Sequence, residues 1–352
     1  MELNRPKYLS PSSVSTWLSN PEEFFLKYLA IDKVPRIAQT QAMAVGSAFD
    51  AYIKCYLYRR LFGDEKTKAD GFWFDDIFEK QVEPQNRDTA TKNGAVCFMA
   101  YKNSGALSKL FELLKAAKEP PMFEFTKYGQ IHEEGGGVYN KIVADIDGLE
   151  VTSAGHVVIL GKPDLFFITK NDINVVLDWK VNGYYSTGQG RTATPGYLLL
   201  LDGFEPKSKN HGRIHKDAVP WEDESGLHYS LTPNIEMREP DWARQITTYS
   251  WLCGAQVGAP MVVAVDQLVC KPSYPSPNIS VALHRCTVTE KFQLETYKTF
   301  QAIWNIVQSD HIFRDKPLVE SIERCQSLLG QANIYKGDDA RTEFLRRMRQ
   351  SS

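Results

Sequence analysis

The chain has 352 residues, 43% of them hydrophobic and 24% charged, with a formal net charge of −2. This is ordinary globular composition with enough apolar material for a sizeable core, and it excludes a globally basic nucleic-acid binder, so any polyanion contact has to come from local patches. No run approaches the roughly 18 apolar residues that a membrane span needs, and the opening Met-Glu-Leu-Asn-Arg-Pro lacks the apolar centre of a secretion signal, which predicts a cytoplasmic protein with no membrane contact.

Along the chain, Ser10-Pro11-Ser12-Ser13 supplies capping residues, after which Val14, Trp17, Leu18, Phe24, Phe25, Tyr28 and Leu29 recur at helical spacing, with Pro21 as an interruption. A second helix is expected from about Gln41 to Phe62, carrying Gly46, Phe49, Asp50, Ile53 and Leu57 on one face. Residues 70 to 118 read as helical, with apolar residues dense from Leu107 to Leu114, so residues 1–118 form an α-rich N-terminal part. Strand character begins near Pro120. Val138 to Ala144, a turn through Asp145-Ile146-Asp147-Gly148, Leu149 to Val151 and Val157 to Ile168 suggest an antiparallel meander, and Gly135-Gly136-Gly137 reads as a flexible turn.

Residues of about 182–238 are rich in Gly, Ser, Pro, His and Lys and read as a long polar insertion within a β-sheet core of residues 119–310. A helix beginning at Pro240-Asp241-Trp242 places Gln245, Tyr249, Leu252 and Cys253 on one face. Strands at Met261 to Cys270 and Ile279 to Cys286 and a helix from Lys291 to Val307 follow. Residues 311–352 read as a helical basic tail ending in Arg341, Arg346, Arg347 and Arg349. The six cysteines, at 55, 97, 253, 270, 286 and 325, show no CxxC pair and no finger-like spacing with histidine, which predicts buried free thiols in place of a zinc module or disulfide framework.

The chemistry concentrates where strand-like runs carry acids. Gly161-Lys162-Pro163-Asp164 follows Val157 to Leu160 and precedes Leu165 to Ile168, while Val175 to Leu177 leads into Asp178-Trp179-Lys180. Strand side chains alternate, so Asp178 and Lys180 share one face and Trp179 takes the other. The 14-residue separation of Asp164 from Asp178 leaves room for a hairpin through Lys170-Asn171-Asp172, which would bring the two acids together. Two carboxylates, with the Trp179 carbonyl, make an oxygen-only set suited to Mg²⁺ or Mn²⁺. Asp-x-Lys alone is a weak signal, since most such pairs are solvated ion pairs; acids beside buried strands need a cation, which strengthens it. No Walker-type phosphate loop occurs, so the chain carries no motor.

Taken in order, Leu9-Ser10-Pro11-Ser12 through Asn20-Pro21 and Phe24-Phe25, Gly46-x-x-x-Asp50, Gly161-x-x-Asp164, Asp178-x-Lys180 and Gln245-x-x-x-Tyr249 resemble the RecB-type branch of the PD-(D/E)xK nuclease superfamily, over roughly residues 9 to 300. That branch includes standalone bacteriophage exonucleases and CRISPR adaptation nucleases. The resemblance implies an α/β, restriction-endonuclease-like fold, a mixed central sheet flanked by helices. It implies a Mg²⁺- or Mn²⁺-dependent deoxyribonuclease, an exonuclease on linear duplex DNA in recombination or DNA processing. Asp164 and Asp178 would bind metal, Lys180 would position the attacking water, and Gln245 and Tyr249 would line the site. Asp50, which stands where most relatives carry a metal-binding histidine, would join Asp164 and Asp178 as a metal ligand. The alternative for Asp50 is an i,i+4 ion pair with Lys54, and Gly46 would let its helix approach the sheet closely.

Arg191, Lys207, Lys209 and Arg213 are the candidate phosphate contacts, and Tyr184 and Tyr185 the candidate stacking residues. Some relatives hold an iron–sulfur cluster through a cysteine at the position of Asn20, so no cluster is expected here. DNA is the expected partner, with a separate single-strand annealing protein and further copies of the chain as candidates; a phage-encoded protein would act in the bacterial host cytoplasm. Rival readings are a nuclease fold that binds DNA with weakened catalysis, and a structure-specific or RNA-directed endonuclease.

Overall fold

The computed structural model describes residues 3–31, 38–135, 137–143, 145–146, 156–182, 219–223, 226–230, 234–237, 239–259, 261–271, 278–309, 313 and 316–334. The chain is a mixed α/β protein, with helices on both sides of a mixed five-stranded sheet.

That sheet is built from β1 (Met122–Phe123), β5 (Leu165–Ile168), β6 (Asn174–Asn182), β9 (Met261–Lys271) and β10 (Asn278–Val288), which lie side by side in this order. All neighbours are antiparallel except β6 and β9, which run parallel. Parallel neighbours need a crossover; here it contains a hairpin of β7 (Val219–Asp223) and β8 (Gly226–Ser230), followed by α8 (Pro240–Leu252). A second sheet has the order β3-β2-β4, from β2 (Lys127–Glu134), β3 (Gly137–Val143) and β4 (Val157–Gly161). The run expected as one strand from Val157 to Ile168 is thus two. It breaks at Lys162-Pro163, where proline cannot donate to a ladder, and β4 and β5 pair in different sheets. Gly135, at φ 58°, turns the β2–β3 hairpin, while most of the expected turn and strand from 147 to 151 lies outside the described residues.

Strand alternation divides the core in two. Val176, Val263 and Val265 face one cluster with α1 (Pro11–Ser19), α2 (Pro21–Phe24), α8 and α9 (Glu290–Gln308). Leu177, Trp179, Ala264 and Leu268 face the other, under α3 (Gln41–Phe62), α6 (Arg87–Asn103) and α7 (Ala106–Lys115). α5 (Phe74–Gln81) joins α6 and α7 in the stretch expected to be helical over 70–118, which is broken segments rather than one run, and a short α4 (Asp64–Ala69) precedes it. The tail's described residues include α10 (Leu318–Ile334), while Arg341, Arg346, Arg347 and Arg349 lie outside the described residues.

α1 shows how local chemistry places an element. The Ser10 hydroxyl accepts from the Ser13 N–H at 3.2 Å and the Ser13 hydroxyl accepts from the Ser10 N–H at 2.9 Å, a reciprocal cap. Just before it, Leu9 is stitched to β4 by N–H to Val158 O and by Leu160 N–H to Leu9 O, both 2.8 Å.

α3 is buried on two sides, which blurs its amphipathic pattern. Val45, Phe49, Ile53 and Leu57 meet the sheet side, and Ala44, Ala48 and Ala51 meet α5 and α6. The expected role of Gly46 is corrected by this packing. A Cβ there would lie 4.0 Å from Val181 Cβ, an ordinary contact, so closeness to the sheet needs no glycine. The close approach is made by Gly94 of α6, where a Cβ would come within 2.6 Å of Ala48 Cβ.

Candidate active site

Three acids stand in one register row. β1 pairs Phe123 with Leu165 and β5 pairs Leu165 with Leu177, so one step further along the same registers come Glu124, Asp164 and Asp178. The Glu124 N–H donates to Asp164 O at 3.1 Å, continuing the ladder, and the Trp179 N–H donates to Asp164 Oδ2 at 3.3 Å. Past Leu177, β6 has lost β5 as its neighbour and uses a side-chain carboxylate of Asp164 in its place. Glu124 has φ 46°, uncommon for a residue with a side chain and a sign of strain at a site.

α3 adds Asp50 and Lys54, one turn apart. Lys54 is 1% exposed. Its Nζ donates to Asp50 Oδ2 at 2.7 Å, Asp164 Oδ1 at 3.0 Å and Glu124 Oε2 at 3.2 Å. The i,i+4 pair is therefore present, but as one arm of a buried ammonium shared by three carboxylates rather than a surface contact. Gln81, at the end of α5, donates from Nε2 to Asp50 Oδ2 at 3.0 Å and to Glu124 Oε1 at 3.3 Å. Lys162 pairs with Glu124 from the solvent side.

On the other side of Asp164, Lys180 Nζ lies 2.7 Å from Asp178 Oδ2 and donates to Gln245 Oε1 at 2.8 Å. Gln245 Nε2 in turn donates to the Tyr249 hydroxyl at 3.0 Å. The Asp178–Lys180 contact is one of charge without hydrogen-bond direction, so Asp178 Oδ2 is a buried oxygen with no directed donor. Gly161 permits this packing: a Cβ there would fall 2.8 Å from Tyr249 Cδ1 and 2.5 Å from Leu252 Cδ1.

Four carboxylates, Asp50, Glu124, Asp164 and Asp178, thus face the ammoniums of Lys54, Lys162 and Lys180. One negative charge is in excess, and two when exposed Lys162 is set aside. Burial pushes Asp178 up to about 7, with Lys180 opposing and Asp164 adding to the rise. Burial likewise pushes Asp50 up to about 6 against the pull of Lys54. Asp164 is also raised by burial, but the charges of Lys54 and Lys180 and the bonds it accepts outweigh this and hold it below the ordinary carboxylate value. Asp164 thus stays ionised, and its charge helps to raise its two neighbours.

Asp50, Asp164, Asp178, Trp179, Lys180, Gln245 and Tyr249 are therefore gathered at one place, Asp50 through Lys54. Tyr184, Tyr185, Arg191, Lys207, Lys209 and Arg213 lie outside the described residues. Glu124 and Gln81 escaped sequence reasoning, and Lys54 entered it only as an ion-pair partner of Asp50. Glu124 follows a strand of two residues, which offers no alternation to read. Among the described residues no three acid, histidine or cysteine side chains stand as a ready ligand set, and the Lys54 ammonium occupies the centre of the Asp50, Glu124 and Asp164 group.

Comparison of the sequence with protein-family models found no match, and comparison with curated proteins found none.

Proposed function

We propose that the chain is a divalent-metal-dependent deoxyribonuclease of RecB type with a restriction-endonuclease-like core, acting as an exonuclease on linear duplex DNA. The observation that carries the reading is the row Glu124–Asp164–Asp178 across three neighbouring strands, with Lys180 two residues beyond Asp178 on the same face. A structural ion pair needs one acid per base. Here the acids outnumber the buried ammoniums, and such an excess calls for a further cation.

The residues fit a hard ion. The donors are carboxylate oxygens, as Mg²⁺ and Mn²⁺ prefer, and Asp178 Oδ2 lacks a directed donor. Asp164 and Asp178 would hold the ion, with Asp50 and Glu124 beside them. The Trp179 carbonyl is a further donor, because a strand residue sends N–H and C=O out by the same edge and its N–H goes to Asp164. Such an ion supplies Lewis acidity toward water and phosphate oxygens. Lys180 presents positive charge where negative charge builds on the phosphate, Gln245 fixes its ammonium, and Tyr249 fixes Gln245. Gln245 and Tyr249 are in this reading positioning residues.

The test is digestion of linear duplex by wild type and Asp178→Asn, with Mg²⁺ or with EDTA. Metal-dependent cutting that the substitution removes is expected; equal, metal-independent cutting by both proteins sinks the reading. One observation favours a second reading, a DNA-binding protein with weakened catalysis: Lys54 satisfies three of the acids without any metal. Calorimetric titration with Mn²⁺ separates the two, since the second reading predicts no uptake at these acids.

A further inference from the structure

A cleft of about 320 Å³ opens directly beside the acid row and is lined by Phe72, Phe123, Phe125, Lys80, Gln81 and Lys162, with Glu124 at its edge. It is at the small end of the roughly 300–1,000 Å³ range for ligand sites, room for one flat ring system and not for a base pair. Phe72 and Phe125 are half-buried, so each ring keeps exposed surface. Phe72 is stacked on Tyr58 with centroids 4.2 Å apart at 9°, and Phe125 is met edge-on by Phe166 at 6.4 Å. The rings are thereby held in place before any ligand arrives.

The polar groups of the cleft suit a nucleotide. Lys80 is exposed and its ammonium makes no ion pair or hydrogen bond among the described residues, so its charge is available to a phosphate. Lys127 sits over the Phe125 ring, 5.3 Å from its centroid. The Gln81 amide must turn its NH₂ toward Asp50 and Glu124, which accept from it; its oxygen is left for the edge of a base. The acids of the cleft are already engaged, Asp70 by Lys66 at 2.7 Å and by the Tyr58 hydroxyl, and Glu124 by Lys54 and Lys162.

Lys162 also lines a second cleft, of about 280 Å³, on the other side of the acids, where Ser10, Ser12, Trp242, Gln245 and Tyr249 gather. The two clefts share Lys162, two residues before Asp164, and touch the acid cluster at different points, Glu124 and Gln81 at one and Gln245 at the other, so a single strand laid from one to the other runs along that cluster.

Building on the nuclease reading, we infer that the Phe72–Phe123–Phe125 cleft holds the base of one unpaired nucleotide, so that DNA enters this site as a single strand. Base stacking on an aromatic side chain is tolerant of sequence, and a cleft of this size offers it only to a base that has left its partner.

The experiment measures binding of a fluorescent oligothymidylate by anisotropy in EDTA, with one abasic residue moved stepwise along the oligonucleotide. In wild type, an abasic residue at one position is expected to weaken binding roughly ten-fold, as loss of one stacked base does. Phe125→Ala should bind the intact strand as weakly as wild type binds that abasic strand, and should be indifferent to the abasic position. Phe125→Leu keeps the site apolar and folded and should show the same loss. Lys80→Ala should weaken intact and abasic strands alike. An abasic scan without a preferred position, or unchanged binding by both Phe125 variants, overturns the inference even where wild type cuts DNA in the parallel Mg²⁺ assay. A wild-type protein that neither binds nor cuts DNA removes the underlying nuclease reading as well.

Discussion

Asp178 is 4% exposed and has an ammonium 2.7 Å away, yet its carboxyl titrates near 7 because burial outweighs that partner. The sign of the stability effect follows. Between the unfolded value of 3.8 and about 7 the folded state binds the extra proton, so stability falls as pH rises through this window and levels off above it. Asp50 acts in the same direction up to about 6. Denaturant titrations in EDTA at a series of pH values should show a decline on the order of a few kcal/mol, and Asp178→Asn should flatten most of it. Mn²⁺ competes with the proton for the same oxygens, so the gain in Tm on adding it should grow from pH 5 to pH 8. A gain that shrinks with pH would place the ion elsewhere. At this scale the sequence was informative wherever an acid sat in an alternating strand, as with Asp178 and Lys180. Lys54 was not legible as a buried hub, because a lysine four residues after an aspartate on a helix reads as a solvated pair until the strands that supply Glu124 and Asp164 are in place.

Among the elements, α3 and α6 pack closely at Gly94. Gly94→Ala would set a methyl 2.6 Å from Ala48 Cβ and 3.0 Å from the backbone of Ala48 and Phe49, which neither helix can relieve by turning a side chain. A loss of about 1–3 kcal/mol is expected from such overpacking. Because Asp50 follows Phe49, a fall in metal affinity should accompany it, measurable in the same titration. Lys54→Met tests the other side of α3. It leaves Asp50, Glu124 and Asp164 without their shared cation, and a loss of about 3–5 kcal/mol is expected. Mn²⁺ should restore part of it; a variant as stable as wild type in EDTA would show that the three acids do not depend on the ammonium. Element boundaries were legible where helical spacing held over several turns, as in α3 (Gln41–Phe62). They failed between Val157 and Ile168, since an apolar run looks the same whether it serves one sheet or two and only Lys162-Pro163 marks the exchange.

For the molecule as a whole, the helices of the first third serve both faces of the central sheet: α1 and α2 on one, α3, α6 and α7 on the other. Local periodicity identifies helices but says nothing of which face each will cover, so this division was out of reach from sequence. Among the described residues no helix is long and apolar enough to cross a membrane. The six cysteines are free thiols, five of them buried, as their scattered spacing led one to expect.

The partnership between the two ends of the chain bears on how it is made. Arg324 of α10 donates to Glu22 of α2 at 2.6 Å across 302 positions, and Cys325 and Leu328 are buried in the same cluster as Phe24 and Leu29. During synthesis the first helices emerge long before the segment that covers them, and contacts of such separation form late. A nascent chain halted before Leu318 would carry an open apolar seam where α10 belongs. Such a fragment is expected to bind a hydrophobic dye and to sediment as aggregate, whereas the 352-residue chain should do neither; a monomeric, dye-silent fragment would mean the seam closes without α10.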